Sequence, residues 1–147
     1  LTGRGGATIW ERSLFKEFSY DEWYRGYAYL EDVDFSFTVS KRDKLAVINS
    51  ARVEHLPPPL KPQKLNAYIK MHVIQQYYFV RKHSELSVTQ FYWSILGLIL
   101  ISALSGIKRL RLESFHSTLG YISGLASIIT GQLRQVDESF REEKVNF

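Results

Sequence analysis

The stretch from Leu86 to Ile107 runs for 22 residues without a formal charge. A run of that length belongs in the interior of a folded protein or in lipid. Its core, Phe91 to Ile107 (FYWSILGLILISALSGI), has 17 residues, which is short for a bilayer crossing that needs about 20. Phe91, Tyr92 and Trp93 at its start resemble an aromatic interface belt, and Lys108, Arg109 and Arg111 close it. After a single crossing from the cytoplasm those cations would sit outside, against the positive-inside tendency. An in-plane helix or a shallow hairpin is therefore the favoured placement. A second uncharged stretch, Ser114 to Leu133, suits the returning arm, and its Gly120 and Gly124 have the G-x-x-x-G spacing of close helix approach.

Charge is distributed to match. Residues 61–112 carry 8 basic groups and 1 acidic group, whereas residues 1–60 carry 8 basic and 9 acidic. A cationic segment beside an apolar run points to an anionic membrane surface. No zinc finger, RNP motif or recognition-helix pattern accompanies it, so nucleic acid is not an expected partner. The chain has no cysteine, which excludes disulfide scaffolds and thiol catalysis. It opens on Leu1, and we expect it to be a piece of a larger protein.

Pro57, Pro58 and Pro59, with Pro62 close behind, cannot continue a helix or a central strand and mark the main boundary. Four regions follow: 1–60, a basic amphipathic helix in 61–85, apolar helices in 86–133, and a charged tail in 134–147. Before the prolines, Glu11 to Phe18 reads as a short helix and Leu30 to Ser40 as a helix that opens with acids. Lys44 to Ser50 and Arg52 to Leu56, rich in Val, Ile and Leu, read as short β segments. After them, Leu65 to His83 has apolar i, i+4, i+7 spacing and fits either an interfacial helix or one packed on a domain.

Glu31, Asp32 and Asp34 fall within four residues. On a helix Glu31 and Asp34 share a face and Asp32 points elsewhere. Acids in a first turn interact favourably with the helix dipole, although three together repel unless something compensates. His55 lies 23 residues after Asp32. A carboxylate and an imidazole near one cavity suit a divalent cation or a general base and its partner, and spacing does not choose between these. No H-E-x-x-H, P-loop, G-x-S-x-G or complete G-x-G-x-x-G occurs.

Three elements occur in order: Gly5-Gly6-Ala7-Thr8-Ile9-Trp10-Glu11-Arg12, Phe18-Ser19-Tyr20-Asp21-Glu22-Trp23, and Gly26-Tyr27-Ala28-Tyr29-Leu30-Glu31-Asp32-Val33-Asp34-Phe35-Ser36. Together with Arg52-Val53-Glu54-His55, they resemble the second half of a family 2 glycosyltransferase of the GT-A fold, over roughly residues 5–60. The basic segment ending Tyr77-Tyr78-Phe79-Val80-Arg81-Lys82 is similar to the tail of rhamnosyltransferase-like members.

The resemblance implies an α/β fold: the C-terminal half of a Rossmann-like GT-A domain, followed by amphipathic and membrane-associated helices. It implies an inverting enzyme that moves a sugar from a nucleotide-diphosphate donor to an acceptor hydroxyl on a lipid-linked glycan or polysaccharide precursor, at the cytoplasmic face of the membrane. Asp32 would be the catalytic base, with Glu31 and Asp34 positioning it or the acceptor. Gly5, Gly6 and Trp23 would line the acceptor site. His55 would help hold a divalent cation, Mg2+ or Mn2+, on the donor diphosphate. The family's nucleotide-binding half has no counterpart in these residues, so the chain alone is expected to be inactive. The other expectation is a non-catalytic membrane-anchoring or interaction module.

Overall fold

A computed structural model describes residues 8–24, 29–52, 64–109 and 112–133. The chain divides into two compact units, Leu1–Pro58 and Pro59–Phe147.

Every regular element among the described residues is helical. The expected α/β fold, half of a Rossmann-like GT-A domain, is therefore not what this chain forms. The segment expected as a strand, Lys44 to Ser50, is irregular and ends in a turn closed by the Ala51 amide on the Ile48 carbonyl. Val47 is 88% and Ile48 62% exposed. Their strand preference measures fit to a half-buried pleated surface, and no such surface covers them. Arg52 is likewise irregular, and the rest of the second expected strand, 53–56, lies outside the described residues.

In the first unit, the expected helix over Glu11 to Phe18 shrinks to one 3-10 turn, Arg12–Lys16. Eight residues are too few to offset helix nucleation unaided. Helix α1, Glu31–Ser40, begins within one residue of its expected start. Its N-cap, Leu30, offers no capping side chain, so Glu31, Asp32 and Asp34 provide the favourable charge at the dipole's positive end. Phe35 and Val39 bury its inner face. The far end is tied back through Arg42, which pairs with Glu17 and Asp43 and lies over the Phe18 ring at 4.6 Å.

The second unit is a three-helix bundle of α2 (Leu65–Lys82), α3 (Val88–Arg109) and α4 (Leu112–Ile129). The Ser87 hydroxyl accepts the Gln90 amide at the start of α3, an N-cap bond. Gly131, at φ 73°, ends α4, with the Gln132 amide on the Ser127 carbonyl and the Gly131 amide on the Ile128 carbonyl. That pair of bonds is a Schellman closure, which favours glycine in the left-handed region.

Helix directions follow from the contacts. Gly120 lies against Ile69 and Gly124 against Val73. Both numbers rise together, so α2 and α4 run parallel. The Ser102 and Thr118 hydroxyls bond at 2.9 Å, and the Phe115 ring covers Gly106. Here one number rises as the other falls, so α3 runs antiparallel to α4 and hence to α2. Tyr77 of α2 meets Phe91 and Tyr92 of α3, with centroids 5.7 and 6.2 Å apart. The core is Ile69, Val73, Ile74, Phe91, Ile95 and Ile128. α2 is thus a packed helix, with Met71 and Gln75 also buried.

Val88–Ile107 is long and apolar enough to cross a membrane by length and composition, the one such helix among the described residues, and only 17% of that stretch is buried. Its exposed side carries Trp93, Leu96, Leu100, Ile101, Leu104 and Ile107. Trp93, Leu96, Leu100, Leu104 and Ile107 recur every three or four residues and, with Ile101 beside Leu100, form one stripe. α4 adds exposed Phe115, Leu119, Ile122 and Ile129.

Candidate functional site

The first unit is organised by Phe35, which is 2% exposed. Tyr20 stacks on it at 4.4 Å, Phe15 stacks at 5.6 Å, and Trp10 meets it edge-on at 5.0 Å. Offset and edge contacts of this kind add to the stability that area burial gives. Phe35 falls three residues after Asp32, so the same hub fixes the first turn of α1.

The three acids have different surroundings. Asp34 is 2% exposed, and its amide bonds the Leu30 carbonyl at 2.9 Å. A carboxylate so enclosed is out of reach of an incoming substrate. Glu31 and Asp32 are only partly buried. The Ser36 hydroxyl bonds the main-chain carbonyl of Asp32 at 2.6 Å, so it does not occupy the Asp32 carboxylate. Glu31 and Asp34 do not act as an accessible pair, because burial removes one of them.

Tyr20 joins the aromatic hub to the acids. Burial, then the charge of nearby Asp32, and more weakly that of Glu31, push its phenol up from the usual value. A phenol held protonated beside a carboxylate is a donor. The Trp10 indole N–H lies near that hydroxyl without meeting hydrogen-bond geometry, so its Nε1 is buried with no partner. Tyr20 and Trp10 are residues that motif spacing does not pick out. Both stand inside the quoted family-like elements, but only the fold brings them to Asp32.

Trp23 is partly buried and meets Tyr24 edge-on at 5.6 Å. Its amide bonds the Asp21 carboxylate at 2.9 Å, a local turn bond. Gly5, Gly6 and His55 lie outside the described residues. Among the described residues no group of three His, Cys, Asp or Glu side chains could hold a metal. The described acids therefore do not by themselves fit the divalent cation that the resemblance implies.

No family model matches the chain, and neither a curated protein nor a solved structure is similar to it.

Proposed function

We propose that this chain is the acceptor-side part of a membrane-associated, inverting glycosyltransferase, with Asp32 as its general base. One observation carries the reading: a partly exposed carboxylate on the first turn of α1, beside a protonated phenol and the partly exposed rings of Trp10 and Tyr20, which pack on buried Phe35. Flat rings suit the apolar face of a sugar, and the carboxylate suits its hydroxyl. The order of the elements Gly5–Arg12, Phe18–Trp23 and Gly26–Ser36, which resembles family 2 glycosyltransferases, gives the reaction class.

Asp32 takes the proton from the acceptor hydroxyl as its oxygen attacks the anomeric carbon. The new C–O bond forms on the face opposite the leaving group, and the old C–O bond breaks with its electron pair on the diphosphate. Configuration inverts. Tyr20, its phenol kept protonated beside the carboxylate, is the nearby donor that would orient Asp32 toward the acceptor. Residues outside this sequence would hold the nucleotide.

The test is a transfer assay with the native protein, isolated with its membrane. Radiolabelled nucleotide-diphosphate sugars are offered as a panel, and the lipid-linked and polysaccharide fractions are counted. Label from one donor in either fraction is expected. No transfer from any donor, with the native protein folded and in its membrane, would leave the anchoring-module reading in its place.

A further inference from the structure

We infer that the helical unit lies flat on an anionic bilayer, with the exposed stripe of α3 in the lipid and α2 on the aqueous side, and that α3 does not cross. The inference shares only the membrane with the function proposed above and stands or falls without it.

The packing of α2 decides the orientation. Tyr77 lies beside Phe91 and Tyr92, and α2 runs antiparallel to α3. Each residue back along α2 is thus one residue forward along α3, both rising about 1.5 Å. Lys70 falls level with about residue 98 of α3, the middle of the Phe91–Ile107 core. Independently, the Lys70 carbonyl lies against Gly124 and the Asn66 carbonyl against Gly120, halfway along α4. If α3 and α4 spanned the bilayer, they would carry Lys70 to its centre, with Asn66 and His72 inside the hydrocarbon on either side of it. Cations there are costly and rare, and no side chain on α2 could snorkel so far.

Laid flat, the same parts agree. The stripe from Trp93 to Ile107 extends about 21 Å along the surface and sinks into the headgroup boundary, as amphipathic helices do. Exposed Arg81 and Lys82 precede it, and Lys108, Arg109 and Arg111 follow it in the sequence. Both ends then meet anionic headgroups. A segment with 8 basic groups and 1 acidic group is complementary to such a surface and would repel a second copy of itself.

The chain has no cysteine, so single cysteines report cleanly. Gln90→Cys and Glu113→Cys, both at exposed positions, bracket the apolar stretch. Each full-length variant is added to sealed phosphatidylcholine vesicles with or without phosphatidylglycerol and treated with a membrane-impermeant maleimide. Vesicle binding only with the anionic lipid, labelling of both cysteines without lysis, and a spin label at Leu100→Cys shielded from water within about 10 Å of the surface are expected. Arg81→Gln with Lys82→Gln should weaken binding about 25-fold, near fivefold per cation. Labelling of one cysteine only after lysis would establish crossing and overturn the inference. So would absence of vesicle binding, or a Leu100 label shielded in a lipid-free dimer.

Discussion

Adding one methyl group at Gly120 should destabilise the helical unit, while the same methyl at Gly97 should stabilise it. A Cβ at Gly120 would sit 2.7 Å from Ile69 Cβ, 2.9 Å from its Cγ2 and 3.0 Å from the Asn66 carbonyl oxygen. Carbon atoms prefer about 3.5–4.0 Å, so α2 and α4 must separate by roughly 1 Å. One contact is backbone and the other a β-branched stem, so neither can rotate away. Overpacking of this kind costs about 1–3 kcal/mol. Alanine offsets about 1 kcal/mol through helix propensity, which leaves a net loss of up to about 2 kcal/mol. Gly97 has nothing within 4 Å of its Cβ position, so only the propensity gain of about 1 kcal/mol remains. Far-UV circular dichroism during thermal unfolding, with the chain bound to vesicles, reads both. At about 4–8 °C per kcal/mol, the midpoint should fall for Gly120→Ala and rise for Gly97→Ala. Equal shifts for the two variants would refute the parallel α2–α4 contact.

Phe35→Ala should cost about 3–5 kcal/mol, because it removes the ring on which Trp10, Phe15 and Tyr20 converge; chemical denaturation of the first unit checks this. Arg42→Ala should hardly move the same transition, since its pairs with Glu17 and Asp43 are solvent-exposed. His72 is held by burial below the ordinary imidazole value of 6.5. The unfolded state then binds the proton more readily than the folded one, so this contribution is intact above pH 6.5 and is lost as pH falls below it. The midpoint of the helical unit should drop between about pH 7 and 5, and His72→Gln should flatten that drop. Tyr20→Phe should slow transfer while leaving folding intact; an equal loss of folding would make Tyr20 a packing residue only.

The helices were legible because their signals are local. The acids announced α1, the uncharged run announced α3, and Gly120 and Gly124 announced a close approach. The proline run also falls where the two units divide. The β segments misled because Val47 and Ile48 carry strand preference without a sheet to receive them, and pairing is a long-range property. Asp34 looked like Asp32 in the sequence. Only burial separates an enclosed carboxylate from an accessible one, and burial is set by the fold around the helix, not by the local sequence. Tyr20 was hidden for the same reason: eleven intervening residues carry no record of the contact with Asp32. The stripe of α3 was visible as apolar, but its orientation needed α2, whose Lys70 fixes what depth the bundle can reach.

The central claim is that Asp32 removes the acceptor's proton. The direct measurement is the transfer rate of the native protein carrying Asp32→Asn, compared with wild type and with Glu31→Gln under saturating donor and acceptor. Asparagine keeps the size and cannot take a proton. A loss of about 100- to 10,000-fold in kcat, with an unchanged circular dichroism spectrum and little change in Glu31→Gln, is predicted. A kcat for Asp32→Asn near that of wild type would contradict the account.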